Sequence, residues 1–268
     1  MQAFFIFVVM NNPIGIFDSG VGGTSIWKEI VKLLPNENTI YLADSKNAPY
    51  GAKSKQQIID LSIKNTEFLL QKQCKIIVLA CNTATTNAIS YLRENYKVPF
   101  IGIEPAIKPA ALKTESKVVG VLATKGTLTS ELFHKTSSLY NYGIEVIEQV
   151  GEGLVPLIEA GKLNSQDMEL LLKKYLCPMV DKGMDYLVLG CTHYPYLIPQ
   201  IKKIIPDTIT IIDSGEAVAR QTKAVLEKFQ LQSQTKASSY IFHSNIQPDV
   251  LASLLPVDAK INVSQLDF

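Results

Sequence analysis

Residues 77–83 read IVLACNT, and residues 187–193 read LVLGCTH. Each is a short apolar run that ends in a small residue, then a cysteine, then polar residues. A run of this kind reads as a strand buried on both faces of a parallel sheet. The cysteine then falls at the carboxyl end of the strand, where open α/β sheets bind their ligands. A second pair of echoes lies upstream. Residues 15–25 read GIFDSGVGGTS and residues 120–130 read GVLATKGTLTS, each a strand, a turn and a Thr/Ser-bearing helix start. The offsets are 110 residues for the cysteine strands and 105 for the upstream pair. Two echoes in the same order read as a duplication with loops of slightly different length.

Outward from these stretches, strands alternate with amphipathic helices. Strands are expected at Pro13–Phe17, Thr39–Ala43, Lys75–Ala80 and Phe100–Ile103. Helices are expected at Thr24–Leu34, Ser54–Gln73 and Thr85–Tyr96. This order predicts an α/β fold of two pseudo-symmetric parallel-sheet domains with the active site in the cleft between them. Junctions near Glu104–Pro109 and Ile212–Gly215 divide the chain. Residues 14–103 plus 214–268 form a discontinuous first domain, whose tail carries a helix at Glu216–Phe229 and packs back. Residues 104–213 form the second. Residues 1–13 are expected to stand outside the two domains as an extension, of which Met1–Met10 lies outside the fold with Met10 as a candidate start. Met1–Met10 is apolar but has neither the positive charge of a signal peptide nor the length to span a bilayer.

Composition narrows the function. The 268 residues are 47% apolar and 19% charged, which excludes wholesale disorder. Lys plus Arg is 26 against 25 for Asp plus Glu, a net charge of +1. That argues against nucleic acid or an anionic membrane as partner; the expected small-molecule substrate rests on the site residues. The four cysteines, at 74, 81, 177 and 191, form no CxxC pair. They fit a reducing, cytoplasmic setting. No Walker A or GxGxxG pattern is present, so nucleotide chemistry loses support.

Cys81 and Cys191 are the candidate catalytic pair. A thiol at a helix start is expected to have its pKa lowered from about 8.5 into the range of roughly 3.5–7.5. Two thiols on opposite sides of one cleft suit a reaction in which one group takes a proton from a stereocentre and the other returns it on the opposite face. Racemisation or epimerisation without a cofactor is such a reaction. Free cysteine is also a common core filler, and Cys74 and Cys177 are read that way. A zinc site on Cys81, Cys191 and His193 competes but lacks a clear fourth ligand. The turn Asp18-Ser19-Gly20, with Gly22 and Gly23, is expected to offer backbone N–H groups to a carboxylate. Tyr50, Gly51, Asn82, Thr83 and Thr192 are candidate donors, with Thr124 and Thr127 from the mirrored turn. Asp18 and His193 are candidates to orient or polarise the thiols, one on each side.

The segments GIFDSGVGG (15–23), DSKNAPYG (44–51), ACNTAT (80–85), GIEPA (102–106), ATKGT (123–127) and LGCTHYP (189–195) together resemble the glutamate racemases of the cofactor-independent aspartate/glutamate racemase superfamily. The resemblance runs from Ile14 to about Ala219. It implies conversion of L-glutamate to D-glutamate for peptidoglycan, with no cofactor and no metal. It implies Cys81 and Cys191 as the acid/base pair, Cys81 acting on D-glutamate and Cys191 on L-glutamate. It also implies substrate contacts at Asp18, Ser19, Tyr50, Gly51, Asn82, Thr83, Thr192 and His193. Glu152 joins Asp18 and His193 as a supporting acid/base group, and Asp44 matches an acidic position of less certain role. A homodimer is the expected assembly. A related racemase acting on aspartate, a clamp that only binds an amino acid, and a redox or metal protein remain alternatives from the residues alone.

Overall fold

A computed structural model describes residues 11–139 and 143–268. Among these residues ten strands form two sheets, every pairing parallel. The first contains β1 (Ile14–Asp18), β2 (Thr39–Ala43), β3 (Ile76–Leu79), β4 (Phe100–Gly102), β9 (Tyr240–Ser244) and β10 (Ile261–Gln265), in the order β10-β9-β2-β1-β3-β4. The second contains β5 (Val118–Ala123), β6 (Glu145–Val150), β7 (Tyr186–Gly190) and β8 (Thr210–Ile212), in the order β6-β5-β7-β8. The succession β2-β1-β3-β4 therefore has the same order as β6-β5-β7-β8, as duplicated halves require. The central strands β1 and β3 are wholly buried, which is why their sequences are continuously apolar rather than alternating.

The tail adds β9 and β10 beside β2, and its helix Gly215–Lys228 packs on the helix Thr24–Leu33. Trp27, on that first helix, explains the docking. Its ring meets Tyr240 and Phe242 edge-on at 5.4 and 4.8 Å, and its Nε1 donates to Thr39 Oγ1 at 3.0 Å. Such edge-to-face pairs add roughly 0.5–1.5 kcal/mol beyond burial. The two crossings between sheets touch each other, Ser214 Oγ donating to the Glu104 carbonyl at 2.5 Å. We propose the unit boundaries there, at 104 and 213.

Two expectations change. The reading of Met1–Met10 lies outside the described residues. Asn11–Pro13, however, are tied to the fold, since the Asn11 and Pro13 carbonyls accept from Asn38 Nδ2 and Lys75 N, each at 3.0 Å. The fold thus makes contact with residues that precede the expected start of the first domain at 14. The third helix spans Asn82–Asn95 and begins three residues earlier than its pattern suggests. The reason is that Cys81 itself is the N-cap, its sulfur accepting from Ala84 N at 3.4 Å, a role usually taken by Ser, Thr, Asp or Asn.

Candidate active site

Four strand ends meet where the carboxyl edges of the sheets face each other. β1 ends at Asp18, β3 leads to Cys81, β5 leads to Thr124 and β7 leads to Cys191. Cys81 and Cys191 line one cavity together with Ser19, Tyr50, Gly51, Asn82, Thr83, Thr124, Thr192 and His193. Its volume is about 10 Å³, room for roughly one water. Both thiols are buried, at 4% and 7% exposure.

Hydrogen bonds across the sheets close this cavity. Thr192 Oγ1 donates to Asp18 Oδ2 at 3.0 Å, and Ser25 Oγ donates to the Thr192 carbonyl at 2.9 Å. Thr83 Oγ1 lies 2.8 Å from Thr124 Oγ1 and 3.2 Å from Thr127 Oγ1. Asn82 Oδ1 is buried without a hydrogen-bond partner among the described residues. An acceptor left so in a cavity wall is suited to an ammonium group, because an unpaired buried acceptor is costly.

The two thiols sit in different electrostatic settings. Cys81 Sγ faces Ser19 Oγ at 3.7 Å. Burial pushes the Cys81 thiol well above its usual pKa, and the Asp18 carboxylate adds to the rise. The Ala84 N–H and Ser19 pull weakly the other way. The lowered pKa expected at a helix start is thus not found for Cys81, because desolvation and a neighbouring anion outweigh the helix end. Asp18 is also raised. Its burial is the largest cause, and the charge of His193 and the bond from Thr192 oppose it.

On the other side, Cys191 Sγ lies 3.8 Å from His193 Nδ1. His193 Nε2 meets Glu159 Oε1 at 2.5 Å. Burial alone would strip the proton from His193. The bonds and charges of Cys191 and Glu159 outweigh it and raise the imidazole well above its usual value. Glu159 is lowered in turn: burial pushes it up, and the bond and charge of His193, with Ser45 and Val21, bring it down.

Glu159 was not among the sequence candidates. It ends the helix Leu154–Glu159 of the second sheet, yet reaches the first. It accepts from Val21 N and Ser45 Oγ, each at 2.7 Å. A carboxylate in the last turn of an apolar helix opposes the helix dipole, and that misplacement was the readable signal. Glu152 stands apart from this network. Its side chain is exposed and stands outside the cavity wall, before the turn at Gly153, and its backbone carbonyl accepts from Tyr175 at 2.8 Å.

The glycine turn is corrected as well. Two of its N–H groups are taken by the protein's own carboxylates rather than left for a substrate carboxylate. Gly23 N donates to Asp18 Oδ2, and Val21 N to Glu159. Gly22 N lies 3.3 Å from His193 Nε2. The glycines permit close approach. A Cβ on Gly22 would stand 2.2 Å from His193 Nδ1, and one on Gly20 would stand 1.9 Å from Glu159 Oε1.

Tyr50 is oriented from behind. Its hydroxyl donates to Asp44 Oδ2 at 2.5 Å and accepts from Asn65 Nδ2 at 3.1 Å. Asn245, just after β9, donates to Asp44 Oδ1 at 2.5 Å. Burial and the Asp44 charge push the Tyr50 phenol well up, so it stays a donor. Cys74 is buried against Gly15, and burial pushes it up to about 12, whereas Cys177 is exposed. Among the described residues no group of three or more His, Cys, Asp or Glu side chains is placed to hold a metal ion.

The family model for Asp/Glu/Hydantoin racemase matches residues 14–222. A glutamate racemase of Ralstonia pickettii is 45% identical over 249 residues, 93% of this chain and 86% of that one. One of Ectopseudomonas mendocina is 46% identical over 256 residues, 94% and 97% of the two chains. Among solved structures, glutamate racemase RacE1 of Bacillus anthracis superposes with a TM-score of 0.84 at 29% identity, covering 96% of this chain and 97% of that one. The Escherichia coli glutamate racemase in complex with L-glutamate and activator UDP-MurNAc-ala gives 0.83 at 32% identity, covering 95% and 98%.

Proposed function

The chain belongs to the Asp/Glu/Hydantoin racemase family, and we propose that it interconverts L- and D-glutamate by passing the α-proton between Cys81 and Cys191. The observation that carries the proposal is the placement of two buried thiols, one from each sheet, in the wall of one cavity. A thiolate on one face takes the Cα proton, and the electron pair stays on the carbanion. The thiol on the other face then donates its own proton to Cα, so the product has the opposite hand and the two sulfurs have exchanged protonation states. After turnover of D-glutamate the protonated His193, with Nδ1 beside Cys191, can give its proton to the Cys191 thiolate, while Cys81 releases the proton it took and His193 regains one from solvent. The substrate ammonium is assigned to Asn82 Oδ1, and its carboxylates to the polar wall formed by Ser19, Tyr50, Gly51, Thr83 and Thr192.

The reaction requires reduced thiols, which supports a cytoplasmic setting. No helix among the described residues is long and apolar enough to cross a membrane. D-Glutamate made this way is taken to supply peptidoglycan synthesis, as the resemblance of the sequence motifs implies.

Incubation with L-glutamate, and separately with L-aspartate, in deuterated water tests the proposal. Deuterium should enter Cα of glutamate, with D-glutamate appearing. Wash-in only on aspartate would replace the substrate, and binding without wash-in would reduce the protein to a clamp.

A further inference from the structure

The cavity between the thiols cannot hold glutamate as it stands, so part of its wall must move for the substrate to enter. The wall around Asp18, Glu159 and His193 is closed by buried, charge-assisted hydrogen bonds, the strongest available. On the opposite side the closure is neutral. A Cβ on Gly126 would stand 3.1 Å from Gly51 Cα, so the two backbones touch. Asn87 Nδ2 donates to the Thr83 carbonyl at 2.9 Å and to the Gly126 carbonyl at 3.0 Å, tying one sheet's helix to the other sheet's turn.

A second cavity of about 590 Å³ lies just beyond that contact, and its wall includes Asn87 and Gly126 themselves. It is lined by Lys53, Lys55 and Lys135 against a single acid, Glu131, a net charge of +2. Among the described residues no ion pair engages the three lysines. The whole chain has a net charge of only +1, so this concentration is local rather than a share of a general excess.

We propose that this lysine-lined cavity is an antechamber for carboxylates, and that the substrate passes from it to the thiols through the Gly51–Gly126 contact, with Asn87 as the latch. The inference rests on reading the substrate as an anionic amino acid. A concave, like-charged wall raises the local concentration of an ion of opposite sign and speeds its capture. Salt screens such a field over about 10 Å at 0.1 M ionic strength. The lysines do not line the thiol cavity and make no bond to Cys81, Cys191 or His193, so their removal is read on capture rather than on proton transfer.

The test is the salt dependence of steady-state racemisation in wild type and in the triple variant Lys53→Gln/Lys55→Gln/Lys135→Gln. Wild-type kcat/KM should fall as salt rises. The variant should start about 10-fold lower at low ionic strength, the lower end of such focusing effects. It should show a nearly flat salt response and an unchanged kcat. Glu131→Gln should shift kcat/KM in the opposite direction. Lys55 and Lys135 are exposed, so if the triple variant does not fold, the single variants give the same reading at smaller amplitude. A variant that keeps the wild-type salt slope and a kcat/KM within about twofold, in an active enzyme, overturns the antechamber and leaves the racemase reading intact. A wild-type protein that racemises no anionic amino acid overturns that reading and this inference together.

Discussion

Replacing Glu159 by glutamine should remove one charge and little else. Oε1 accepts from His193 Nε2 at 2.5 Å and from Val21 N at 2.7 Å, and Oε2 accepts from Ser45 Oγ at 2.7 Å. An amide oxygen in the first position keeps both acceptances, and the amide N–H can donate to the Ser45 hydroxyl, which accepts as well as it donates. Hydrogen bonds to charged groups contribute about 1.5–3 kcal/mol and neutral ones about 0.5–1.5 kcal/mol. The variant should therefore be about 1–1.5 kcal/mol less stable wherever both partners are charged in the wild type. The side chains are 12% and 1% exposed, so solvent screening takes little from this figure. For a chain of this size the loss corresponds to a Tm lower by about 2–6 °C.

The sign of the pH dependence follows from the two shifts. His193 is raised above 6.5, so its contribution is fully present below 6.5 and is lost as pH rises through its folded value. Glu159 is lowered from 4.5, so its contribution is present above 4.5 and is lost as pH falls through its folded value. The Tm difference between wild type and Glu159→Gln should thus peak between about pH 4.5 and 6.5 and shrink on the alkaline side. Thermal melts across pH 4–9 measure it. Racemisation should fall about 10-fold, since 1.36 kcal/mol is a factor of ten. A Tm difference that stays constant from pH 5 to 9 would refute the charged pair. Unchanged turnover would refute its part in the reaction.

Cys81→Ala and Cys191→Ala should each lower racemisation by at least ~10²-fold, measured by polarimetry, while Cys177→Ala, at an exposed position, should leave it unchanged. Asn245→Ala removes the 2.5 Å bond to Asp44 behind Tyr50; KM for glutamate should rise about 3- to 10-fold with kcat nearly kept, from a loss of roughly 1 kcal/mol of positioning, and an unchanged KM would sink the role. Gly22→Ala places a Cβ 2.2 Å from the His193 ring; activity should fall by more than about 10-fold as the ring is displaced, and retention of full activity would show that the turn can yield.

What was legible in the sequence was what the backbone and burial impose. A strand buried on both faces must be apolar throughout, so β1, β3, β5 and β7 stood out, and their shared endings exposed both cysteines and the duplication. The helix after Cys81 began early because a thiol seldom caps a helix and no propensity signals it. Partners chosen by the meeting of two sheets were hidden. Of the two glutamates in residues 151–161 (GEGLVPLIEAG), only the fold decides that Glu159 reaches His193 and Glu152 faces solvent. Asn245 arrives from the tail, 201 residues after its partner Asp44, with nothing in its local sequence to mark it.

The duplication accounts for position but not for chemistry. It brings a thiol to the same strand end in each sheet, which is what attack on the two faces of one carbon requires. Each half then surrounds its thiol differently. The first places an aspartate on the strand next to Cys81, and that anion, with burial, keeps the sulfur protonated. The second places an imidazole two residues after Cys191 and supports its charge with a carboxylate that also accepts from the first half. A two-base reaction needs one sulfur holding a proton and one free of it when substrate binds, and two identical settings would give no preference between those forms. Because Glu159 is bonded to Val21 and Ser45 across the cleft, the charge on His193 depends on the two sheets being together. The pairing of the two sheets and the charge beside Cys191 are in this way coupled, which a single-sheet site could not arrange.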